Sequence, residues 1–338
     1  MKKRIVAVFL LCLLLMSACV DSNATVSMKE VQFVMSTVVS LDIRDHASEE
    51  LMNKMMDRLE EIDVLMSLQK KGSDIDRVNE AKGEITEVNP STYHVIEKAI
   101  EYSELTDRAF DPSIGLLVNL WGIGTETARL PSPEEIETAR MTSGLENIEL
   151  LGNNQLRLHG DTQVDIGAIA KGFAADEMVR IAKEAGVKSA IFNLGGNVYV
   201  LGSKGTSPFR VGIQNPFSDR DDYLGIIDVK DTSVVTSGNY ERFFFDDAGK
   251  RYHHILDPKT GYPAENGLAG VTVVCSNSTM ADALSTAIYV MGLEKGLAFI
   301  EATEEAEALF VTNTRDIHVS SGLRSFFTLV DDTFRIVE

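Results

Sequence analysis

Val164-Asp165-Ile166-Gly167-Ala168-Ile169-Ala170-Lys171-Gly172-Phe173-Ala174-Ala175 is the stretch on which the reading of this chain turns. Val164–Ile166 reads as the end of a strand. Gly167 lets the backbone turn, and a helix is expected to begin near Ala168 or Ile169. A carboxylate, a glycine and a lysine then crowd the mouth of a helix, where free N–H groups and the positive end of the dipole suit a phosphate. Lys171 adds a mobile positive charge. The small residues Gly167, Ala168, Ala170 and Gly172 leave room for a ligand to touch backbone. Taken alone, the same residues also fit an ordinary strand-to-helix junction whose glycines serve packing.

Working outward, the helix continues through Ala174, Met178, Ile181 and Ala185, and Gly186 ends it. Before it, Ile148–Leu150 and Gln155–Leu158 flank Gly152-Asn153-Asn154 and read as a hairpin. After it, Ala190–Leu194 is a strand running into Gly195-Gly196-Asn197, a bend or a close backbone approach to a ligand. Val31–Ile43 reads as strand, turn, strand around Met35-Ser36-Thr37. Ser48–Leu68 is a helix with Leu51, Met55, Leu59, Ile62 and Met66 on one core-facing side, and Pro90–Ser103 is a second. The polar segment Gln69–Lys82 reads as a loop. Ser132-Pro133-Glu134-Glu135 is a helix start with a capping box, and its role is structural.

Three further stretches bear on chemistry. Ala109-Phe110-Asp111-Pro112-Ser113 leads into an apolar, glycine-punctuated run holding Trp121, the sole tryptophan. That run is either a buried corner or a wall for a flat aromatic ligand. His253-His254-Ile255-Leu256-Asp257-Pro258 follows a hairpin formed by Phe243–Phe245 and Tyr252–Ile255. A histidine three residues from an aspartate can serve as base and orienting partner, or simply finish a strand. Val271–Cys275 is a strand, and a helix opening at Ser278 runs to Met291. Asp282 and Thr286, four apart, point from one side of its first turns. Carboxylate plus hydroxyl is hard-oxygen ligation, suited to Mg²⁺ and not to Zn²⁺.

The N-terminus reads as an export signal over residues 1–18: basic Lys2, Lys3 and Arg4, then the apolar run Ile5–Met16. Met16-Ser17-Ala18-Cys19 resembles a bacterial lipoprotein cleavage box. Cys19 would then carry lipid, with residues 19–30 as a tether and 31–338 as one folded unit on the outer side of the cell membrane. Cys12 leaves with the signal, so Cys275 is the remaining thiol and no internal disulfide is expected. The mature chain would set 51 acidic residues against 29 basic ones. That balance argues against nucleic acid or anionic lipid as the main partner. A bound nucleotide must be held by local features or by a metal that offsets its charge.

Four motifs in order, AFDPSIGLLVNLWGIG, VDIGAIAKGFAAD, HHILDPKTGYP and MADALSTA, resemble the ApbE family of flavin transferases. The resemblance spans roughly Val31 to Val330. It implies a mixed α/β fold of the T-fold kind, with mixed sheets, packed helices and FAD in a cleft. It implies an enzyme that moves FMN from FAD to a threonine of an exported redox protein, with AMP released. It implies Mg²⁺ held by the Ala168 carbonyl with Asp282 and Thr286, and with Ser285 between them. Met35, Ala109, Phe110, Asp111, Asp165, Lys171 and Leu256 would line the FAD site, with His254 and Asp257 on its catalytic edge. Two departures stand out: Ser36 where the family usually has glycine, and Gln69 where many members place an aromatic residue against the flavin nucleotide. The second leaves open a Mg²⁺-dependent FAD pyrophosphatase. A lipoprotein that merely binds flavin is a third reading.

Overall fold

The computed structural model describes residues 26–218 and 222–337. The signal segment and Cys19 lie outside the described residues.

The elements follow in chain order. β1 (Met28–Val34) and β2 (Thr37–Ile43) form the expected hairpin. Then come α1 (Glu49–Met66), α2 (Asp74–Glu80), β3 (Thr86–Glu87), α3 (Pro90–Leu105), α4 (Gly115–Trp121) and α5 (Pro133–Thr142). β4 (Ile148–Gly152) and β5 (Gln155–Leu158) precede α6 (Gly167–Glu184). β6 (Ala190–Leu194), β7 (Asn197–Leu201), β8 (Phe209–Gln214), β9 (Tyr223–Val229) and β10 (Thr232–Gly238) follow. β11 (Phe243–Phe245), β12 (Arg251–His253) and β13 (Leu268–Cys275) lead to α7 (Ser278–Met291) and α8 (Leu293–Glu301). β14 (Ala306–Thr312), β15 (Asp316–Val319), β16 (Phe327–Leu329) and β17 (Arg335–Ile336) close the chain.

A nine-stranded sheet in the order β1-β2-β6-β7-β10-β13-β14-β15-β17 is the spine. Its pairs are antiparallel except β15 with β17. One face carries the large core built with α1, α3, α6, α7 and α8, where the methionine-rich side of α1 is buried as its periodicity requires. The other face is covered in part by the small sheet β16-β9-β8, through Val200, Val234, Leu309 and Phe327 among others. The mixed α/β expectation is met.

Two local expectations are corrected, and the open choice at Trp121 is decided for the buried corner. Val164–Ile166 forms no strand; the sheet-like contact beside it is a single parallel bridge between Ile114 and Gln163. The polar segment Gln69–Lys82 contains a helix, α2, capped by Ser73 and anchored by buried Asp74. Trp121 is fully buried and is not a ligand wall. Its indole N–H donates to the Gly261 carbonyl at 2.9 Å and its ring packs against Tyr252 and Tyr262. Cys275 is buried and free.

Candidate active site

The site is built where α6 meets α7. At Gly172 a Cβ would lie 2.3 Å from the Ser278 carbonyl oxygen, so only glycine lets the two helices touch backbone to backbone there. Asp176, one turn further along α6, locks the contact. Its carboxylate accepts from Ser278 N at 2.9 Å, Thr279 N at 2.8 Å and Thr279 Oγ1 at 2.6 Å. These are orphan donors at the start of α7, and an anion is the right group to meet them.

Registering the helices this way sets Asp282 beside Lys171. The lysine Nζ lies 3.4 Å from both carboxylate oxygens and 3.4 Å from the Gly167 carbonyl. It is therefore ion-paired rather than loose at the helix mouth. Gly172 N–H reaches Asp282 Oδ2 at 2.9 Å. In a regular helix that N–H faces the carbonyl of residue 168, so the carboxylate stands beside the Ala168 oxygen. Burial pushes the Asp282 carboxyl up, with Lys171 opposing. Thr286 is half-buried on the same side of α7, and its hydroxyl has no hydrogen-bond partner among the described residues. Ser285 is fully buried and spends its hydroxyl on the Asp282 carbonyl and on Ser237 Oγ, each at 2.8 Å.

Across the mouth of α6, Asp165 Oδ1 accepts from Gly167 N at 2.9 Å. Burial raises its carboxyl, while the Gly167 N–H, Lys171 and Arg242 pull the other way. Asp165 is held from behind by its own N–H on the Pro112 carbonyl at 2.8 Å. This brings the Ala109–Ser113 motif to the site. Asp111 is buried there, gripped by Arg108 at 2.7 Å and by both donors of Ser113, with Ala109 and Phe110 buried alongside. Met35 and Ser36 form the β1–β2 turn at φ values of 54° and 56°, the left-handed region that favours glycine. The Met35 N–H donates to Asp63 at 3.0 Å.

Arg242, which no motif marks, joins these parts. Its guanidinium donates to the Ser36 carbonyl at 3.2 Å, and its charge acts on both Asp165 and His254. His254 Nδ1 lies 3.3 Å from the Arg242 carbonyl. A carbonyl only accepts, so Nδ1 carries the proton and Nε2 keeps a lone pair. Burial, then Arg242, pushes this imidazole down to about 3. The neighbouring His253 is the structural one, buried between the Ala264 carbonyl and the Ile255 N–H and pushed down by burial to about 4.

His254 and Asp257, for which two alternatives stood open, share no hydrogen bond among the described residues. Asp257 instead accepts from Lys259 N at 2.9 Å and organises its own turn. That turn is pinned by Lys259 on Asp107 and by Trp121 on Gly261, and it presents Leu256 toward the Trp121 cluster. Gln69 is exposed and reaches Asn119 at 3.4 Å, and Asn119 in turn holds Gln163 at 2.9 Å. Among the described residues no three His, Cys, Asp or Glu side chains gather as a metal cluster.

A carboxylate–lysine pair with an unpartnered hydroxyl, backed by one imidazole, is the arrangement to set against known proteins. The ApbE family model matches residues 35–310. The chain belongs to the ApbE family. Members named FAD:protein FMN transferase include one from Klebsiella pneumoniae, 34% identical over 310 residues and covering 90% of this chain and 95% of its own. Another from Treponema pallidum is 36% identical over 264 residues, covering 73% and 72%. Among solved structures, the ApbE protein of Thermotoga maritima superposes with a TM-score of 0.82 at 33% identity, covering 89% of this chain and 99% of that one. The flavin transferase ApbE of Vibrio cholerae gives 0.79 at 30%, also covering 89% and 99%. The ApbE relationship makes this chain a transferase, and its α/β fold is the fold of those flavin transferases.

Proposed function

We propose that this chain is a Mg²⁺-dependent FAD:protein FMN transferase that attaches FMN, through a phosphoester, to a threonine of an exported or membrane redox protein and releases AMP. The observation that carries the reading is the Lys171–Asp282 pair beside the unpartnered Thr286 hydroxyl. One carboxylate with neutral oxygens fits Mg²⁺, which keeps several waters and shares phosphate oxygens with its protein ligands. Asp282, Thr286 and the Ala168 carbonyl would hold the ion. Ser285, whose hydroxyl is committed to Ser237, would brace Asp282 from behind. When bound, the ion supplies charge to offset the pyrophosphate and orient its scissile bond.

The protein's own residues do the rest. Lys171, paired with Asp282 at 3.4 Å, would offer its ammonium to the phosphate oxygens of bound FAD. The acceptor hydroxyl attacks the FMN phosphorus; the new P–O bond forms as the bond to the AMP phosphate breaks. The hydroxyl proton goes to His254 Nε2, the free nitrogen of a neutral ring. Arg242 and Lys171 stabilise the added negative charge. Asp257 is the alternative base. Met35, Ala109, Phe110, Asp111, Asp165 and Leu256 shape the FAD site. A lipid on Cys19 would hold the enzyme at the outer face of the membrane, where exported acceptors lie.

The test uses the full chain in detergent with FAD, Mg²⁺ and a threonine-bearing flavin-accepting domain, the acceptor being weighed by mass spectrometry. A gain of one FMN that is lost in EDTA is expected. AMP and FMN without acceptor labelling would assign the pyrophosphatase that Gln69 raises. Unchanged FAD would assign a binding protein.

A further inference from the structure

Asp165 and the first turn of α6 follow a segment that joins no sheet. Gln163, Val164 and Asp165 lie between β5 and α6, and each is held by a different part of the chain. The Gln163 carbonyl accepts from Gly115 N at 2.9 Å, and Asp165 N donates to the Pro112 carbonyl at 2.8 Å. Between them, Val164 is served by one side chain. Its N–H donates to Asn79 Oδ1 at 2.7 Å, and its carbonyl accepts from Asn79 Nδ2 at 2.9 Å. Two bonds, to the N–H and the C=O of one residue, are what an antiparallel partner strand supplies. Here the amide of Asn79, 85 residues away, stands in for that strand.

Val164 is fully buried, so neither of its backbone groups can turn to water. Gly115 closes on the same segment: a Cβ there would lie 2.8 Å from the Gln163 carbonyl oxygen. Asn79 is itself fixed, because α2 is capped by Ser73 and its Asp74 accepts from Asn89 N at 2.8 Å and Thr92 Oγ1 at 2.7 Å. One residue beyond Val164, the Asp165 carboxylate takes the Gly167 N–H at the mouth of α6. Farther along, α6 is held independently by Gly172 and Asp176 against α7. Loss of the Asn79 amide therefore falls on Asp165 and the mouth of α6, and leaves the α6–α7 contact in place.

We propose that Asn79 is a positioning residue for flavin transfer: its amide sets the backbone at Val164, and through it the placement of the Asp165 carboxylate and the Gly167–Ala168 turn against FAD. The inference rests on the transfer reading above. A binding group is only as well placed as the residues that support it, and Asn79 supports Asp165 from one residue away. An amide offers an acceptor and a donor side by side in one plane. Aspartate keeps the acceptor for the Val164 N–H but sets a second oxygen against the Val164 carbonyl. Leucine, of similar shape, offers neither.

Asn79→Asp and Asn79→Leu are compared with the wild-type full chain in detergent. FAD binding is titrated by flavin fluorescence in EDTA, and FMN transfer is then followed with Mg²⁺ and the flavin-accepting domain. Both variants are expected to bind FAD about 10-fold more weakly and to raise KM for FAD to match, with KM for the acceptor domain unchanged. Ser320→Ala is the control for lost stability alone. It removes a buried hydroxyl that accepts from Ala308 N at 2.9 Å beside β15, toward the far end of the large sheet. It should lower the melting temperature and leave FAD binding at wild-type strength. Asn79→Asp keeps one of the two bonds and decides the matter if Asn79→Leu does not fold. Wild-type FAD binding and FAD KM in Asn79→Asp would overturn the proposal, as would an equal loss of FAD binding in Ser320→Ala. A wild-type chain that binds FAD but leaves the acceptor unlabelled would overturn the transfer reading alone, the titration in EDTA still deciding Asn79. A wild-type chain that binds no FAD would overturn both.

Discussion

At the scale of single residues, the site is held in a state that the fold alone disfavours. Burial raises the Asp282 carboxyl, so the charged form needed to bind a cation carries a desolvation penalty that Lys171 offsets only in part. Asp282→Asn keeps an oxygen for the Gly172 N–H and removes the charge. Metal-free protein should gain about 1 kcal/mol in a denaturant melt, while transfer falls about 100-fold or more. His254 gives a second prediction, with a sign. Its pKa is lowered in the fold, from 6.5 to about 3. Between those values the unfolded chain binds a proton that the folded chain refuses, so stability falls as pH drops from about 6.5 toward 3. His254→Gln should flatten part of that slope, leaving the share due to His253, and melts at pH 7 and pH 5 measure it. An unchanged slope would count against its burial. Asp282, Lys171 and His254 stand out in sequence because each sits in a compact motif. Arg242 does not: nothing in Asn239–Phe244 marks it, and its role comes from a turn 206 residues away.

At the scale of elements, the α6–α7 contact decides whether these residues meet. Glycine at 172 permits the approach and Asp176 fixes its register. Asp176→Ala would strand buried N–H groups at the start of α7 and should cost about 3 kcal/mol. Because Asp282 lies on the first turns of α7, the same change should raise the Mg²⁺ concentration for half-maximal transfer about 10-fold. Asp176→Asn, which retains an acceptor, should recover part of both. A purely structural clamp would lower stability and leave the Mg²⁺ dependence alone. Helices with an apolar stripe were legible in sequence, as α1, α3 and α7 show. α2 was not, because its anchor is polar: buried Asp74 accepts from Asn89 N at 2.8 Å and Thr92 Oγ1 at 2.7 Å. Periodicity reads apolar burial and misses a helix fastened by a carboxylate. Val164–Ile166 departs from the strand expectation for a related reason: its backbone is satisfied by single groups and not by a ladder, Val164 exchanging both hydrogen bonds with the Asn79 side chain at 2.7 and 2.9 Å and Asp165 N donating to the Pro112 carbonyl at 2.8 Å.

At the scale of the whole molecule, the question is where the folded unit starts relative to the proposed anchor. β1 is an edge strand, yet it completes seven register pairs with β2 and delivers Met35 to the site. Just before it, the Val26 carbonyl accepts from Ala47 N at 3.0 Å. A chain beginning at Val26 therefore keeps every hydrogen bond described for the fold, and one beginning at Met35 loses the edge and bares β2. The shorter cut removes only residues that the proposed anchor and tether would supply. The Val26 form should be water-soluble without detergent, melt at the temperature of the full chain and transfer FMN to a soluble acceptor domain at the full-chain rate. The Met35 form should aggregate, since β2 would present an unpaired apolar edge. The anchor would then act by location alone. That view makes one further demand: with an acceptor fixed in lipid vesicles, the full chain should outpace the Val26 form by raising local concentration, and detergent should erase the difference. Equal rates on vesicles would mean that the N-terminal segment confers no membrane advantage.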